Sequence, residues 1–219
     1  PESGYSIYFI PAEQKEDYRE PLLKAEDIAP VYDLAEGEAP VHLQFNRSRS
    51  QLLLFTEAED SLWLNVIDRQ AMECRQRILI GVWEKDDWMD VFSYPGFMSV
   101  VVESKETPRL ILLCDEEERG IWRMEMTAEL AWQGQEGLQT CFVQSGAQMA
   151  YDGRRLAVAQ WSRNCATDMD LMICQEGGVV FYGRYRRQGE YQSQHYNYRQ
   201  EVRPQDDGEN GLQLKWAES

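Results

Sequence analysis

Only two histidines, His42 and His195, occur in the 219 residues. Nothing next to either one completes a nucleophile, a base and an orienting acid. His42 alternates with Val41, Leu43 and Phe45, which places it on the solvated side of a strand. His195 lies in a polar stretch near the C-terminal end. A Cys–His or Ser–His pair assembled in three dimensions would leave no local trace, so that chemistry stays open. Gly177 and Gly178 read as a turn between two strands, because a phosphate loop needs a helix behind its glycines. Three acidic groups could bind Ca²⁺ weakly through carboxylate oxygens: residues 115–118, Asp86 and Asp87 with Asp90, and Asp168 with Asp170. Each is also what a solvated turn looks like, which is the favoured reading, and no other cofactor or metal is implied. Carboxylate pairs suited to glycoside hydrolysis are bound to arise among 38 acidic residues, so no particular pair stands out.

The tryptophans carry more information. Trp63 and Trp122 fall at equivalent places in two similar segments and read as packing residues between sheets. Trp83 and Trp88 flank Lys85, Asp86 and Asp87 in a polar segment, 83–90, that reads as a loop. Exposed aromatics among acids suit recognition of a sugar or a cationic peptide, so Trp83, Asp86, Asp87 and Trp88 form the candidate ligand-binding set. The competing reading is that one or both rings plug a sheet edge.

Three segments supply the elements that must position these residues. The first has strand-like runs at 41–45, 52–55, 62–68 and 77–80. The second has runs at 97–102, 110–114, 121–126 and 130–132, and the third at 147–151, 156–159, 171–174 and 179–182. Short polar turns separate the runs. The runs at 52–55 and 110–114 are continuously apolar, as in strands covered on both faces. Others alternate: Leu62, Leu64 and Val66 oppose Asn65, and Trp122, Met124 and Met126 oppose Arg123 and Glu125. Leu52, Leu110 and Leu156 are spaced at intervals near the roughly 40 to 50 residues of a propeller blade.

Residues 151–159, an aromatic followed by Asp-Gly and then an apolar strand, resemble the turn between the first two blade strands of WD-repeat and TolB-like β-propellers. Asn65 to Asp68, followed by a turn, is similar to the end of a third blade strand. The resemblance covers residues 41–184 at the level of a repeat. The Trp-Asp and Gly-His pairs of WD repeats are absent. It implies an all-β fold of antiparallel four-stranded blade-like units at about 41–82, 97–133 and 147–187 within a single domain, 1–219. The ends, 1–40 and 188–219, could complete a fourth unit; an incomplete ring or a β-sandwich is the alternative.

Composition bounds the function. A net charge of −16 repels phosphate backbones and anionic lipid, which argues against nucleic-acid partners. No run approaches the roughly 18 apolar residues of a membrane-spanning helix. Five cysteines without CxxC spacing support neither a zinc site nor a disulfide framework, though one disulfide stays open. The start at Pro1 rather than Met favours an exported, processed form. These features together favour a non-catalytic binding or scaffolding module that recognises a protein or carbohydrate partner through rim loops. The rivals are a carbohydrate-active hydrolase using paired carboxylates and a structural domain of a larger assembly.

Overall fold

The computed structural model describes residues 4–9, 29–116, 119–134, 137–162, 165–186, 202–206 and 212–216. These residues are all-β, with no α-helix among them, and none of their segments is a helix long and apolar enough to cross a membrane. The chain divides into two compact units, residues 1–85 and 86–219.

In the first unit, β1 (Ser6–Ile7) pairs antiparallel with β2 (Tyr32–Asp33). β3 (Ala39–Phe45), β4 (Gln51–Ala58), β5 (Ser61–Asp68) and β6 (Glu73–Val82) form a four-stranded antiparallel sheet in chain order. The apolar run of β4 is buried on both faces, with Leu52, Leu53, Leu54 and Phe55 at most 2% exposed. Leu52 and Leu54 pack with Ile67 and Leu34, joined by Ile7, Tyr32 and Met72 from the segments laid over that face. Asn65, the polar residue in the middle of β5, is buried, and its amide donates to Thr56 Oγ1 at 2.9 Å. That bond removes the penalty of an unpaired buried amide.

The turns of this sheet are built by short polar side chains. Asn46 Oδ1 accepts the Gln51 N–H at 3.0 Å, and its amide nitrogen reaches Ser48 and Ser50. Asp68 Oδ1 accepts the N–H groups of Gln70 and Ala71, which holds its carboxyl below the usual range. Glu59 and Asp60 both take left-handed conformations, φ 49° and 56°, between the paired residues Ala58 and Ser61. Two left-handed central residues define the hairpin turn whose twist matches the flanking strands.

His42 does not occupy the solvated face. Its ring is half-buried, edge-on to Phe55 with centroids 6.0 Å apart, whereas Leu43 and Phe45 are 45% and 41% exposed. β3 lies at the edge of its sheet, and a bulge between Pro40 and His42 resets which face each residue meets. Arg69 covers Phe45, its guanidinium 5.3 Å from the ring centre.

The second unit holds two more four-stranded meanders. One consists of β7 (Trp88–Tyr94), β8 (Phe97–Glu103), β9 (Arg109–Asp115) and β10 (Trp122–Glu129). After the hairpin of β11 (Ala131–Gly134) and β12 (Gly137–Thr140) comes the other: β13 (Gln148–Tyr151), β14 (Leu156–Ser162), β15 (Cys165–Gln175) and β16 (Gly177–Arg186). β10 and β16 pair in parallel, Ala128 with Gly177 and Glu129 with Gly178, and so fuse the two meanders into one eight-stranded sheet. Glu176 reinforces the join by accepting the Thr127 N–H at 2.9 Å. β17 (Val202–Asp206) and β18 (Leu212–Trp216) form a further hairpin.

The halves of this sheet share one core. Leu110, Leu112 and Met126 of the first meander pack with Leu156, Val158, Met172 and Cys174 of the second. The Tyr94 hydroxyl crosses to donate to the Ala147 carbonyl at 2.6 Å. Asp152 and Gly153 form the expected turn: Asp152 Oδ1 accepts from the N–H groups of Arg154 and Arg155, and Gly153 takes φ +90°.

Strand boundaries differ from the sequence reading in three places. The second meander begins one strand earlier, at Trp88, and residues 130–132 join the β11–β12 hairpin instead of closing the sheet. The polar stretch before Leu171 is strand rather than loop, since β15 starts at Cys165. A bulge between Met124 and Met126 breaks the alternation of β10, leaving Trp122 and Met126 buried and Met124 38% exposed. Most of the two ends expected to complete a fourth unit, including residues 10–28 and 187–201, lies outside the described residues.

Candidate functional site

The four candidate residues belong to different units, because the division runs between Lys85 and Asp86. Trp83 follows β6 and is 6% exposed, so it is not the open loop aromatic the sequence suggested. Its backbone N–H donates to the Asp60 carbonyl at 2.9 Å, and its indole N–H to Glu57 Oε2 at 2.7 Å. Both bonds fasten the ring to the β4–β5 hairpin, and a ring so held packs as structure. Trp88 is the first residue of β7, half exposed and paired across the strand with Glu103. Asp86 and Asp87 precede it, and the exposed Asp86 carboxylate forms an ion pair with Lys105.

Two members of the other acidic groups, Asp115 and Asp170, have structural partners. Asp115 Oδ1 accepts the Gly120 N–H at 2.7 Å. Asp170 is buried and paired with Arg184 at 2.8 Å. Among the described residues no three His, Cys, Asp or Glu side chains come together as a metal-binding group. His195 lies outside the described residues.

A different arrangement emerges at one end of the first unit. The loop from Ala35 to Glu38, closed by the Glu38 N–H to Ala35 carbonyl bond at 3.1 Å, stands beside the β4–β5 turn. Gly37 takes φ +81°, a conformation that a side chain would strain. Gly37, Ala58 and Glu59 line both of two clefts. One, of about 300 Å³, also includes Glu57, Asp60, Trp83 and Lys85. The other, of about 320 Å³, includes Glu36, Glu38, Trp63 and Arg77.

In the second cleft the Arg77 guanidinium lies 4.4 Å from the Trp63 ring centre and forms an ion pair with Glu38. The Glu38 side chain is 7% exposed and that of Arg77 43%. Cross-strand register explains the stacking: Trp63 is opposite Leu79 and Asn65 opposite Arg77, so Trp63 and Arg77 are diagonal neighbours on one face. The nearby Tyr32 phenol is pushed up mainly by burial, then by Cys74 and Glu38, with Arg77 opposing. The carboxylates of Glu36 and Glu59 are exposed and have no hydrogen-bond or ion-pair partner among the described residues.

Sequence reasoning missed this arrangement because Glu38, Glu59, Trp63 and Arg77 come from a loop, a turn and two strands. The one clue was the two-residue spacing of Glu36 and Glu38 around a glycine, which alone reads as a solvated loop. In comparisons with known proteins, no family model matches the chain and no curated protein matches it.

Proposed function

We propose that the chain is a non-catalytic binding module that recognises a protein or carbohydrate partner through the loops at one end of its first sheet. The observation that carries this reading is the pair of adjoining clefts around Gly37, Ala58 and Glu59, each with a tryptophan and several carboxylates. In the second cleft the Trp63 ring, beside polar groups on the sheet rim, supplies apolar contact and directional hydrogen bonds together. Volumes near 300 Å³ fall at the small end of the roughly 300–1,000 Å³ typical of ligand pockets, and suit one side chain or one sugar ring. The four-stranded meanders support a blade-like arrangement that holds such loops rigidly, and the propeller-like ring is part of the proposal.

Glycan and peptide arrays probed with the wild type, Trp63→Ala and Glu59→Lys test it. A ligand should emerge whose binding falls about tenfold or more in either variant, in line with removal of a central contact worth about 2 kcal/mol. Arrays without a hit, or a ligand indifferent to both substitutions, would overturn the reading. Hydrolysis of a glycoside abolished by one carboxylate substitution would replace it with the hydrolase.

A further inference from the structure

We infer that β7, the open edge of the eight-stranded sheet, pairs antiparallel with β7 of a second copy of this chain and continues the sheet across a twofold axis.

A sheet presents unpaired backbone groups at its edges, and proteins blunt those edges with proline, bulges, charged side chains or short strands. The two large sheets have four edges, β3, β6, β7 and β13. β3 contains Pro40 and a bulge beside it. β6 breaks register with β5 twice and carries Glu73, Arg75 and Arg77. β13 is four residues long. β7 differs: its seven residues hold unbroken register with β8, without proline, lysine or arginine, and Asp90 is its single charge.

The backbone decides which groups are available. Tyr94 and Phe97 pair across the two-residue turn at Pro95 and Gly96, so Tyr94, Phe92, Asp90 and Trp88 bond to β8. Met89 and Val91, at alternate positions, turn their N–H and C=O groups away from β8, where no strand lies beside them among the described residues. Val91 is accordingly half-buried, while Val100 opposite it on β8 is fully buried.

Self-complementarity selects a second copy as the occupant. Val91 is the midpoint of β7, so a twofold axis there pairs the whole strand with itself and makes the two Val91 residues a hydrogen-bonded pair. Trp88 then falls opposite Tyr94 of the second copy, and Asp90 opposite its Phe92. Trp88, 50% exposed, gains an aromatic neighbour at a non-hydrogen-bonded position, where facing side chains come closest. An axis at Asp90 would set two carboxylates against each other, and one at Phe92 would leave Trp88 opposite the turn. The net charge of −16 on each copy opposes assembly, so the dimer tightens as salt screens that repulsion.

Light scattering on the full chain tests this. A single strand pair is smaller than a permanent interface, so the mass should double reversibly between about 1 µM and about 1 mM, at lower concentration in high salt. Val91→Lys and Val91→Glu each place like charges on the axis and should weaken the dimer at least tenfold. Mixing the two variants should restore it as a heterodimer, because lysine then faces glutamate. Monomer mass throughout for the wild type would overturn the inference, as would a dimer that survives in both variants or a mixture that stays monomeric. Should the variants fail to fold, the wild type still decides: the emission that Trp88→Phe removes should lose acrylamide access as concentration rises, and unchanged access would overturn the pairing.

Discussion

Replacing Trp83 by alanine should destabilise the protein far more than replacing Trp88, although the two rings sit five positions apart in one polar segment. Trp83 is 6% exposed and Trp88 50%. Truncating a buried tryptophan costs about 3–5 kcal/mol through lost transfer energy and the cavity left behind. The indole N–H bond to Glu57 adds to this, but Glu57 is only half-buried and water can replace the donor, so about 1 kcal/mol is its share. Trp83→Phe isolates that share, since it keeps most of the ring and removes the N–H. Trp88→Ala gives up roughly half the ring's contact area at a strand end, about 1 kcal/mol. For a chain of this length each kcal/mol shifts the midpoint by about 2–4 °C, so Trp83→Ala should melt about 15 °C lower and Trp88→Ala about 3 °C lower. Thermal melts by circular dichroism measure this. Acrylamide quenching supplies an independent check: Trp88→Phe should remove readily quenched emission, and Trp83→Phe should remove protected emission. Equal destabilisation by the two alanine variants, or readily quenched Trp83 emission, would refute the reasoning.

Three further outcomes follow from particular side chains. Burial pushes the thiols of Cys114 and Cys141 up to about 11 and about 12, and that of Cys174 higher still, while Cys74 is exposed. Maleimide at pH 8 should label Cys74 in the native state and those three only after urea, with peptide mass spectrometry as the readout; native labelling of Cys174 at the rate of Cys74 would contradict it. The phenols of Tyr94 and Tyr182 are raised by burial from 10.0 to about 12. A raised acid favours the folded state fully below its unfolded pKa, so their contribution is present below pH 10 and lost as pH rises toward about 12; urea midpoints across that window should fall, and tyrosinate absorbance should appear late. Gly153→Ala places a side chain at φ +90° and should cost about 1 kcal/mol, whereas Asp152→Ala, which loses two backbone contacts and the ion pair to Arg155, should cost about 1–2 kcal/mol, both read from denaturant midpoints.

What the sequence determined by itself is the class of structure and much of its local chemistry. Continuous apolar runs such as 52–55 can be satisfied only by strands covered on both faces, and Leu52 to Phe55 are so buried. Asp152 and Gly153 specify their turn through side-chain and left-handed backbone preferences that act within four residues. Such information is local, and a single chain segment contains it.

Tertiary structure decided what depends on partners distant in sequence. Periodicity cannot say which face of an edge strand is covered, and one bulge was enough to turn His42 inward and Leu43 and Phe45 outward. The same blindness hid the fate of Trp83, whose role depends on Glu57 and Asp60 across a hairpin, 26 and 23 positions away. It also hid the parallel join of β10 to β16, because residues almost fifty apart must meet before any hydrogen bond forms. The clefts follow the same logic. Glu38, Glu59, Trp63 and Arg77 read one by one as loop, turn and strand residues, and only the register of β5 against β6 sets a guanidinium on an indole beside a buried carboxylate.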